Sequence, residues 1–284
     1  MAKEMSNRYV SIIIVTAGRK DYLEACLKSL KSQSHPDSEI IVIDNSVENI
    51  FYSGGLNRGI AKSKGDYILC LNDDVVLDSK FIEKALKGFE ADEKIGMVSG
   101  KILRPDKVTI DSTGLFLTPW RTAKERGYNA KDKGQFDSEG YIFGVSGAAA
   151  FYRKVMLDNI KAGNDYFDSK FRMFYEDLDV AWRARNIGWK AYYVPGALAY
   201  HARGGTARRP EGIGKRFARR YLSDELYLNL IVNRYRTIIK NESLFKFIFY
   251  LPFTLIYDIF IWLVVILSRP ILLIKILSGP PIKT

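Results

Sequence analysis

The chain has 284 residues, a formal net charge of +11 and 47% hydrophobic residues. This length fits one large domain with an appendage, or two small domains, and it allows a sizeable core. The two cysteines, Cys26 and Cys70, fall on a predicted helix and in a predicted buried strand, which excludes a disulfide framework or a cysteine zinc site. We therefore expect a reducing compartment. Residues 1–8 are polar and contain no apolar signal core, so we expect the catalytic part to stay in the cytoplasm.

Apolar strands and helical segments alternate over the first third of the chain. Strands are predicted at residues 10–16, 39–43 and 67–71. Helices are predicted from Asp21, as a capping residue, and from Gly54. This alternation with short connections predicts an α/β fold, with a mostly parallel sheet covered by helices on both faces.

Polar residues follow three of these strands at the points where the strands end. They are Thr16, Asp44 and the tripeptide Asn72-Asp73-Asp74. Ligands of such sheets bind beyond the carboxyl ends of the strands. Buried carboxylates need a cationic partner, and Mg²⁺ takes one or two carboxylates while phosphate and water fill its other positions. A solvated turn rich in Asp and Asn is the alternative for the tripeptide alone.

The middle of the chain is less regular. We predict an amphipathic helix over residues 79–90 and a strand over 96–103, and we assign no order to residues 104–142. Residues 146–152 are small and then apolar. The small residues, Gly147 among them, allow a ligand or a neighbouring backbone to approach closely, and tight packing against the sheet is the alternative.

Three acids open the next predicted helix, which ends at Gly188. Glu176, Asp177 and Asp179 lie within four residues beside bulky apolar neighbours. Such surroundings can raise the basicity of one carboxylate to a useful value. A helix start stabilised by the helix dipole, without a function, is the alternative.

A strand is predicted at residues 190–194, a turn at Pro195-Gly196 and a short apolar run at 197–201. His201 ends that run, and a Gly-Gly turn and basic residues follow it. The surroundings of His201 favour a phosphate or metal site, whereas a lone histidine taken by itself is more often structural.

The order of these motifs resembles the family 2 glycosyltransferases, which have the nucleotide-sugar-binding GT-A fold, and most of all their rhamnosyltransferase-type branch. The resemblance covers about residues 9 to 206. Each motif is weak alone, but the full order is highly specific. The motifs are Val10–Thr16, Ile43–Ser46, Gly55–Ile60, Leu71–Asp74, Gly144–Ala148, Tyr175–Asp179 and Tyr200-His201.

The resemblance implies a role for each matching residue. Thr16 and Asp44 would contact the nucleoside, and Asn57 and Gly59 would line the nucleotide and sugar pocket. Asn72, Asp73 and Asp74 match the family's metal motif, usually written Asp-any-Asp. Asn72 departs from the first position of that motif, so Asp74 is the expected direct metal ligand, and Asn72 and Asp73 would contact the donor.

The resemblance also implies that Asp177 is the catalytic base and that His201 assists the metal or the diphosphate. Gly147, Glu176 and Asp179 would lie on the acceptor side. The turn Ala17-Gly18-Arg19 departs from the frequent Tyr-Asn-Arg, which leaves the contacts of the first loop undefined. The Gln-any-any-Arg-Trp motif of processive synthases is absent from the sequence, which favours a single addition.

The last 80 residues are basic and then strongly apolar. Basic residues dominate 203–220, an amphipathic helix is predicted over 221–239, and apolar stretches follow at 247–267 and 271–277. Pro252 and Asp258 interrupt the longer stretch, and Arg269-Pro270 separates the shorter one from it. Two broken, short pieces suit helices lying in the membrane interface better than a clean span. An anionic membrane surface suits this pattern better than nucleic acid does, and a soluble core is the alternative. The expected domains are 1–205, catalytic; 206–243, basic and amphipathic; and 244–284, membrane-associated.

Together these expectations describe an inverting glycosyltransferase at the cytoplasmic face of the cell membrane, acting in cell-surface polysaccharide synthesis. Its donor would be a nucleoside-diphosphate sugar of dTDP or UDP type, such as dTDP-rhamnose. Its acceptor would be a lipid-linked glycan, its cofactor Mg²⁺ or Mn²⁺, and nucleic acid would not be a partner. The alternatives are a membrane-docked scaffold that binds nucleotide sugars without catalysis, and a nucleotidyltransferase. No glycine-rich basic loop follows the first strand, which disfavours the nucleotidyltransferase.

Overall fold

The structure is a computed structural model that describes residues 8–203 and 222–273. Its described residues divide into two units. Unit 1 takes those up to Phe116 and those from Ala123 to residue 203, and unit 2 takes Leu117–Thr122 and those from residue 222 onward. The division at residues 205 and 243 inferred from the sequence stays a prediction.

Residues 8–203 contain eleven strands and five α-helices. The strands are β1 (Val10–Thr16), β2 (Ser38–Asp44), β3 (Tyr67–Asn72), β4 (Val75–Leu77), β5 (Ile95–Leu103), β6 (Ile110–Ser112), β7 (Leu115–Leu117), β8 (Ala123–Glu125), β9 (Gly140–Ile142), β10 (Ala149–Arg153) and β11 (Lys190–His201). The helices are α1 (Lys20–Lys31), α2 (Phe51–Lys62), α3 (Phe81–Gly88), α4 (Lys154–Ile160) and α5 (Glu176–Asn186).

The main sheet has the strand order β2-β1-β3-β10-β5-β11-β4, with β6 paired to β5 and β9 paired to β11. Strands β1, β2 and β3 are parallel, as predicted from the short strand–helix–strand units. Strand β10 then enters antiparallel to both β3 and β5. The fold is therefore α/β with helices on the sheet, as expected, and the sheet is mixed.

Successive residues of β1 face opposite sides of the sheet and so belong to two cores. Ile12 and Ile14 pack in the core that includes residues of α1 and α3, and Ile13 lies in the core that includes residues of α2, α4 and α5. Helix α2 approaches the sheet closely because Gly55 and Gly59 face it. A Cβ on Gly59 would lie 2.3 Å from Cγ2 of Ile13. This close contact fixes the start of α2 near the carboxyl ends of β1 and β2.

Strand β11 is continuous, so the predicted turn at Pro195-Gly196 is wrong. The strand runs from Lys190 to His201 and pairs with β5 on both sides of an irregularity between Val194 and Leu198. Proline has no N–H for a sheet ladder, so it is tolerated in a strand at a bulge. Because β11 continues past the bulge, its last residue, His201, lies opposite Val75 of β4.

The starts of α1 and α2 also differ from the expectation. Arg19 occupies the N-cap position of α1 and makes no side-chain capping bond, so Asp21 lies in the first turn and not at the cap. Helix α2 begins at Phe51, three residues before the predicted Gly54. The end of α5 is confirmed, because Gly188 follows it with a φ of +93°.

Unit 2 contains α6 (Asp224–Asn241) and α7 (Leu244–Ser268). The expected interruption at Pro252 and Asp258 is wrong, because α7 is one helix of 25 residues with Pro252 inside it, whereas its end at Ser268 agrees with the expected break at Arg269-Pro270. By length and composition α7 could cross a membrane. Of the second apolar stretch only residues 271–273 are described, and of the basic cluster only Arg203 is described.

Polar contacts tie α7 to the rest of unit 2. Asp258, which interrupts the apolar sequence of α7, forms an ion pair with Arg234 of α6. Arg234 also donates to the carbonyl of Trp120 at 2.7 Å, and the Trp120 ring stacks on Tyr257. An intramembrane or interfacial carboxylate is costly unless it is paired. Asp258 is paired, and the large apolar side chains on the other faces of α7 are exposed.

Candidate active site

One end of the candidate site is built where β3 and β11 finish. Asp73 and Asp74 form the turn between β3 and β4, and His201 is the last residue of β11. Because β11 pairs with β4, Nε2 of His201 lies 3.2 Å from Oδ1 of Asp74. Both residues are only 4% exposed. The structure thus brings together the two residues expected to meet a metal, although 127 positions of sequence separate them.

The other ring nitrogen of His201, Nδ1, contacts Asp111, a residue that we did not predict from the sequence. Nδ1 of His201 lies 2.8 Å from Oδ2 of Asp111, a fully buried carboxylate on β6 that also contacts Arg203. Burial alone would lower the pKa of His201, but hydrogen bonds to Asp111 and Asp74 outweigh it and raise the pKa to about 9. Asp111 lies in the segment to which we assigned no order, and no sequence motif marks it.

The donor set at this end fits a divalent cation that is shared with a diphosphate. Nε2 of His201 is buried and faces the buried carboxylate of Asp74 at 3.2 Å. A carboxylate oxygen and a neutral imidazole nitrogen are common ligands of divalent metals. A cation would bind here by displacing the proton that Asp111 and Asp74 hold on His201 in its absence. The described residues contain no group of three or more His, Cys, Asp or Glu side chains arranged to hold a metal by themselves. Mg²⁺ is often bound in this way, by one or two protein ligands plus phosphate oxygens and water.

Asp73 is directed to the first loop. Its Oδ2 accepts a hydrogen bond from Thr16 Oγ1 at 2.7 Å, and its Oδ1 pairs with Arg19 at 2.8 Å. Burial raises the pKa of Asp73, and both of these contacts oppose that rise. Arg19 belongs to the turn whose contacts the family resemblance left undefined. Asn72 is the last residue of β3, and its backbone N–H donates to Ala148.

The remaining residues predicted for the donor lie at the end of β2 and within α2. Asp44 is opposite Thr16 in the β1–β2 register, and its exposed carboxylate accepts from the Ser46 N–H. Asn57 binds the backbone of Phe167 through both its amide nitrogen and its amide oxygen, and Gly59 packs on β1. Asn57 and Gly59 therefore have structural contacts of their own, and their place in the nucleotide pocket stays a prediction.

The second end of the site is the start of α5. Oδ1 of Asp177 accepts from the Leu178 N–H at 2.7 Å, and Oδ2 accepts from the Gly147 N–H at 3.2 Å. Burial raises the pKa of Asp177. Burial and the charge of Asp177 raise the pKa of the adjacent Glu176 to about 8. Two adjacent carboxyl groups in one buried place do not ionise independently.

The backbone before α5 is strained. Phe174 and Tyr175 have φ values of +71° and +72°, in the left-handed region that side-chain-bearing residues seldom adopt. Such conformations cost about 1–3 kcal/mol each and cluster at functional sites. In this chain they set the direction in which Glu176 and Asp177 leave the loop.

Asp179 has a different position from the other two acids of α5. It is fully buried and pairs with Arg183 at 2.8 Å, and Arg183 also donates to the carbonyls of Ile160 and Tyr166. These contacts give Asp179 a structural role in unit 1. An acceptor could reach it only if the ion pair opened, so its place on the acceptor side stays a prediction.

Family models match most of the chain. The model described as "Glycosyltransferase like family 2" matches residues 51–223, and the one described as "Glycosyl transferase family 2" matches residues 11–50. The chain therefore belongs to the family 2 glycosyltransferases, and the resemblance is confirmed at the level of the family and of a transferase.

Curated relatives include poly-beta-1,6-N-acetyl-D-glucosamine synthases. The Staphylococcus epidermidis protein is 23% identical over 214 residues, covering 67% of this chain and 49% of the relative. The Staphylococcus aureus (strain COL) protein is 24% identical over 189 residues, covering 66% of this chain and 42% of the relative. The chain thus spans about half the length of the curated relatives it matches.

Two solved structures have a similar fold. The mannosyltransferase PcManGT from Pyrobaculum calidifontis, in complex with GDP-Man and Mn²⁺, aligns with a TM-score of 0.56 at 14% identity. The alignment covers 86% of this chain and 68% of that one. GalNAc-T7 with UDP, GalNAc and Mn²⁺ aligns with a TM-score of 0.53 at 12% identity, covering 68% and 43%. These similarities confirm the GT-A-like fold.

Proposed function

We propose that the chain is a metal-dependent inverting glycosyltransferase that adds one sugar to a hydroxyl of a lipid-linked glycan acceptor. The donor is a nucleoside-diphosphate sugar of dTDP or UDP type. The motif order resembles the rhamnosyltransferase-type branch, so dTDP-rhamnose is the first donor to test. The observation that carries the proposal is the buried Asp74–His201 pair, which lies in the same unit as the half-buried Asp177 carboxylate, whose pKa is raised.

In this proposal Asp74 and His201 would hold a divalent cation, Mg²⁺ or Mn²⁺. When bound, the cation stabilises the negative charge that develops on the nucleoside diphosphate as it leaves. Asp111 keeps His201 oriented with Nε2 toward Asp74. Thr16 and Asp44 contact the nucleoside at the ends of β1 and β2. Structural neighbours with Mn²⁺ and a nucleotide or nucleotide sugar support both the cation and this donor class.

Asp177 is the catalytic base in the proposed mechanism. Its raised pKa makes the ionised carboxylate a better proton acceptor, and the backbone N–H groups of Gly147 and Leu178 fix both oxygens. Asp177 takes the proton from the acceptor hydroxyl as that hydroxyl attacks the anomeric carbon. A single direct displacement inverts the configuration at that carbon. Gly147 lies directly beside the base, since a Cβ there would be in ordinary van der Waals contact with Oδ2 of Asp177, at 3.5 Å.

Helix α7 supports action at a membrane. It is long and apolar enough to cross a bilayer, and Phe249, Ile256 and Leu263 are among its exposed residues. A lipid-linked acceptor and an anionic surface at the cytoplasmic face fit such a helix and the net charge of the chain. The relatives from Staphylococcus are named as synthases of a polysaccharide, which supports a role in making cell-surface glycan.

A donor screen tests the proposal. The full chain in detergent is incubated with Mn²⁺ and a panel of nucleotide sugars, and release of nucleoside diphosphate is measured with and without a lipid-linked acceptor. We expect one donor to be consumed, faster with acceptor, and the product to show inverted anomeric configuration by NMR. Binding of a nucleotide sugar without any turnover would instead favour the non-catalytic scaffold.

A further inference from the structure

A third carboxyl group, that of Glu125, lies between the two ends of the candidate site. Glu125 is the last residue of β8 and is half-buried. One carboxyl oxygen, Oε2, accepts a hydrogen bond from the hydroxyl of Ser112. The other, Oε1, accepts from the hydroxyl of Ser146 at 3.0 Å. Both serines are buried, at 0% and 3% exposure.

Each serine is the chain neighbour of a residue that supports one end of the site. Ser112 follows Asp111, the carboxylate that holds His201. Ser146 precedes Gly147, whose N–H is bonded to Asp177. A short path of hydrogen bonds and peptide bonds therefore runs through Glu125, from the residues that would hold the metal to the residue that would accept the proton.

We propose that Glu125 is a positioning residue that fixes the distance between the Asp74–His201 end and the Asp177 end of the site. The two ends come from β6 and β11 on one side and from the residue 143–148 loop and α5 on the other. Transfer requires the donor's leaving group and the acceptor's hydroxyl to be aligned on opposite sides of one carbon, so an error of about 1 Å in this spacing can cost about 10²-fold in rate.

The electrostatic surroundings of Glu125 are consistent with a bridge that works in either protonation state. Burial raises its pKa to about 7, helped by the charges of Asp177 and Asp111 and opposed by Ser112 and Arg203. A serine hydroxyl can donate or accept. Ser112 and Ser146 can therefore bind the carboxylate, the carboxylic acid or the amide of a glutamine at this position.

This proposal rests on the proposed function, and kinetics of the full chain in detergent with Mn²⁺ and the consumed donor test it. Glu125→Ala removes the bridge, and we expect kcat to fall by about 10- to 10²-fold while the donor KM changes less than about 3-fold. Glu125→Gln keeps the bridge and should retain kcat within about 3-fold. Ser146→Ala removes one of the two serine hydrogen bonds to Glu125, and its kcat should lie between those of the two Glu125 variants.

Glu39 provides a matched control. Its carboxylate also accepts from a serine hydroxyl, that of Ser11, and from the backbone of Lys64, at the opposite end of β1 from Thr16. Glu39→Ala should lower the thermal midpoint without lowering kcat. Unchanged kcat in Glu125→Ala would overturn the proposal, as would Glu125→Gln being as slow as the alanine variant.

If Glu125→Ala does not fold, Ser146→Ala decides, and unchanged kcat there overturns the proposal. A wild-type chain that consumes no donor would refute the proposed function and this role together. Turnover by wild type with no effect of the bridge substitutions refutes the positioning role alone.

Discussion

Replacing Asp177 by Asn tests whether Asp177, and not one of the neighbouring acids, is the catalytic base. The carboxylate of Asp177 accepts one backbone N–H at each oxygen, from Leu178 and from Gly147. An amide has one oxygen and one NH₂ group, so one of those N–H donors would face another donor. Leaving a buried donor unsatisfied costs about 1–3 kcal/mol. Asp177→Asn is therefore expected to lower the unfolding free energy, and it also removes the proton acceptor.

The expected loss of activity is much larger than the loss of stability. Without a base, transfer should fall by about 10²-fold or more, while the midpoint of thermal unfolding falls by several degrees, at about 2–4 °C per kcal/mol for a domain of this size. Binding of Mn²⁺ with nucleoside diphosphate, measured by calorimetry, should hardly change because Asp177 faces the acceptor in the proposed mechanism. Transfer is measured with saturating donor at pH 7.

Glu176→Gln is the matched control. The pKa of Glu176 is raised to about 8, so at pH 7 it is mostly protonated and glutamine resembles that state. The control should keep most of the transfer activity at pH 7. A hundredfold loss in Glu176→Gln together with normal transfer in Asp177→Asn would refute our assignment of the base.

The remaining predictions concern the stability profile, the metal end, the α5 contact and the membrane. In the folded protein Glu176 keeps a proton that the unfolded chain releases above about pH 4.5, so its contribution to the unfolding free energy falls as pH rises from about 4.5 to 8, by at most about 1.4 kcal/mol per pH unit. Urea unfolding of wild type and Glu176→Gln at pH 5.5 and 8 should show the variant gaining relative stability at pH 8, and parallel profiles would contradict this. Asp111→Asn should weaken Mn²⁺–UDP binding by about 10- to 100-fold in calorimetry, because a neutral amide would replace the carboxylate that contacts Nδ1 of His201. Unchanged affinity would mean that Asp111 does not support the metal site. A Cβ on Gly144 would lie 2.6 Å from Cβ of Ala181 in α5, whereas one on Gly147 meets only ordinary contacts. Gly144→Ala should therefore lower the unfolding free energy by about 1–3 kcal/mol and Gly147→Ala should not, and equal stability of the two would contradict the packing. The full chain should float with anionic vesicles in high salt, since α7 binds by apolar burial, and release by salt alone would contradict it.

Local patterns were enough to predict β1, β2, β3 and the end of α5. Each of these elements has a continuous apolar run or a glycine stop that depends on few distant contacts. The turn at Pro195-Gly196 was predicted wrongly because the pairing of β11 with β5 overrides a local turn signal. The apolar stretch at residues 247–267 was predicted to be interrupted because proline is a helix breaker, yet α7 continues through Pro252.

The supporting residues of the site were beyond sequence reasoning for a different reason. Asp111 and Glu125 lie on short strands in a segment without clear periodicity, and their partners are 90 and 21 positions away. Their importance comes from pairing in space, and a single sequence does not show pairing. By contrast, Asp74 follows an apolar strand, and Asp177 lies in the first turn of a helix. Local patterns do reveal such positions.

The requirement for Asp74 tests the central proposal most directly. Release of nucleoside diphosphate from the consumed donor is measured for wild type and Asp74→Ala, each with Mn²⁺ and again with excess EDTA. We predict that wild type is active only with the cation, and that Asp74→Ala is inactive in both conditions although it remains folded. Full activity of wild type in EDTA, or of Asp74→Ala with Mn²⁺, would contradict a metal-dependent transfer centred on Asp74 and His201.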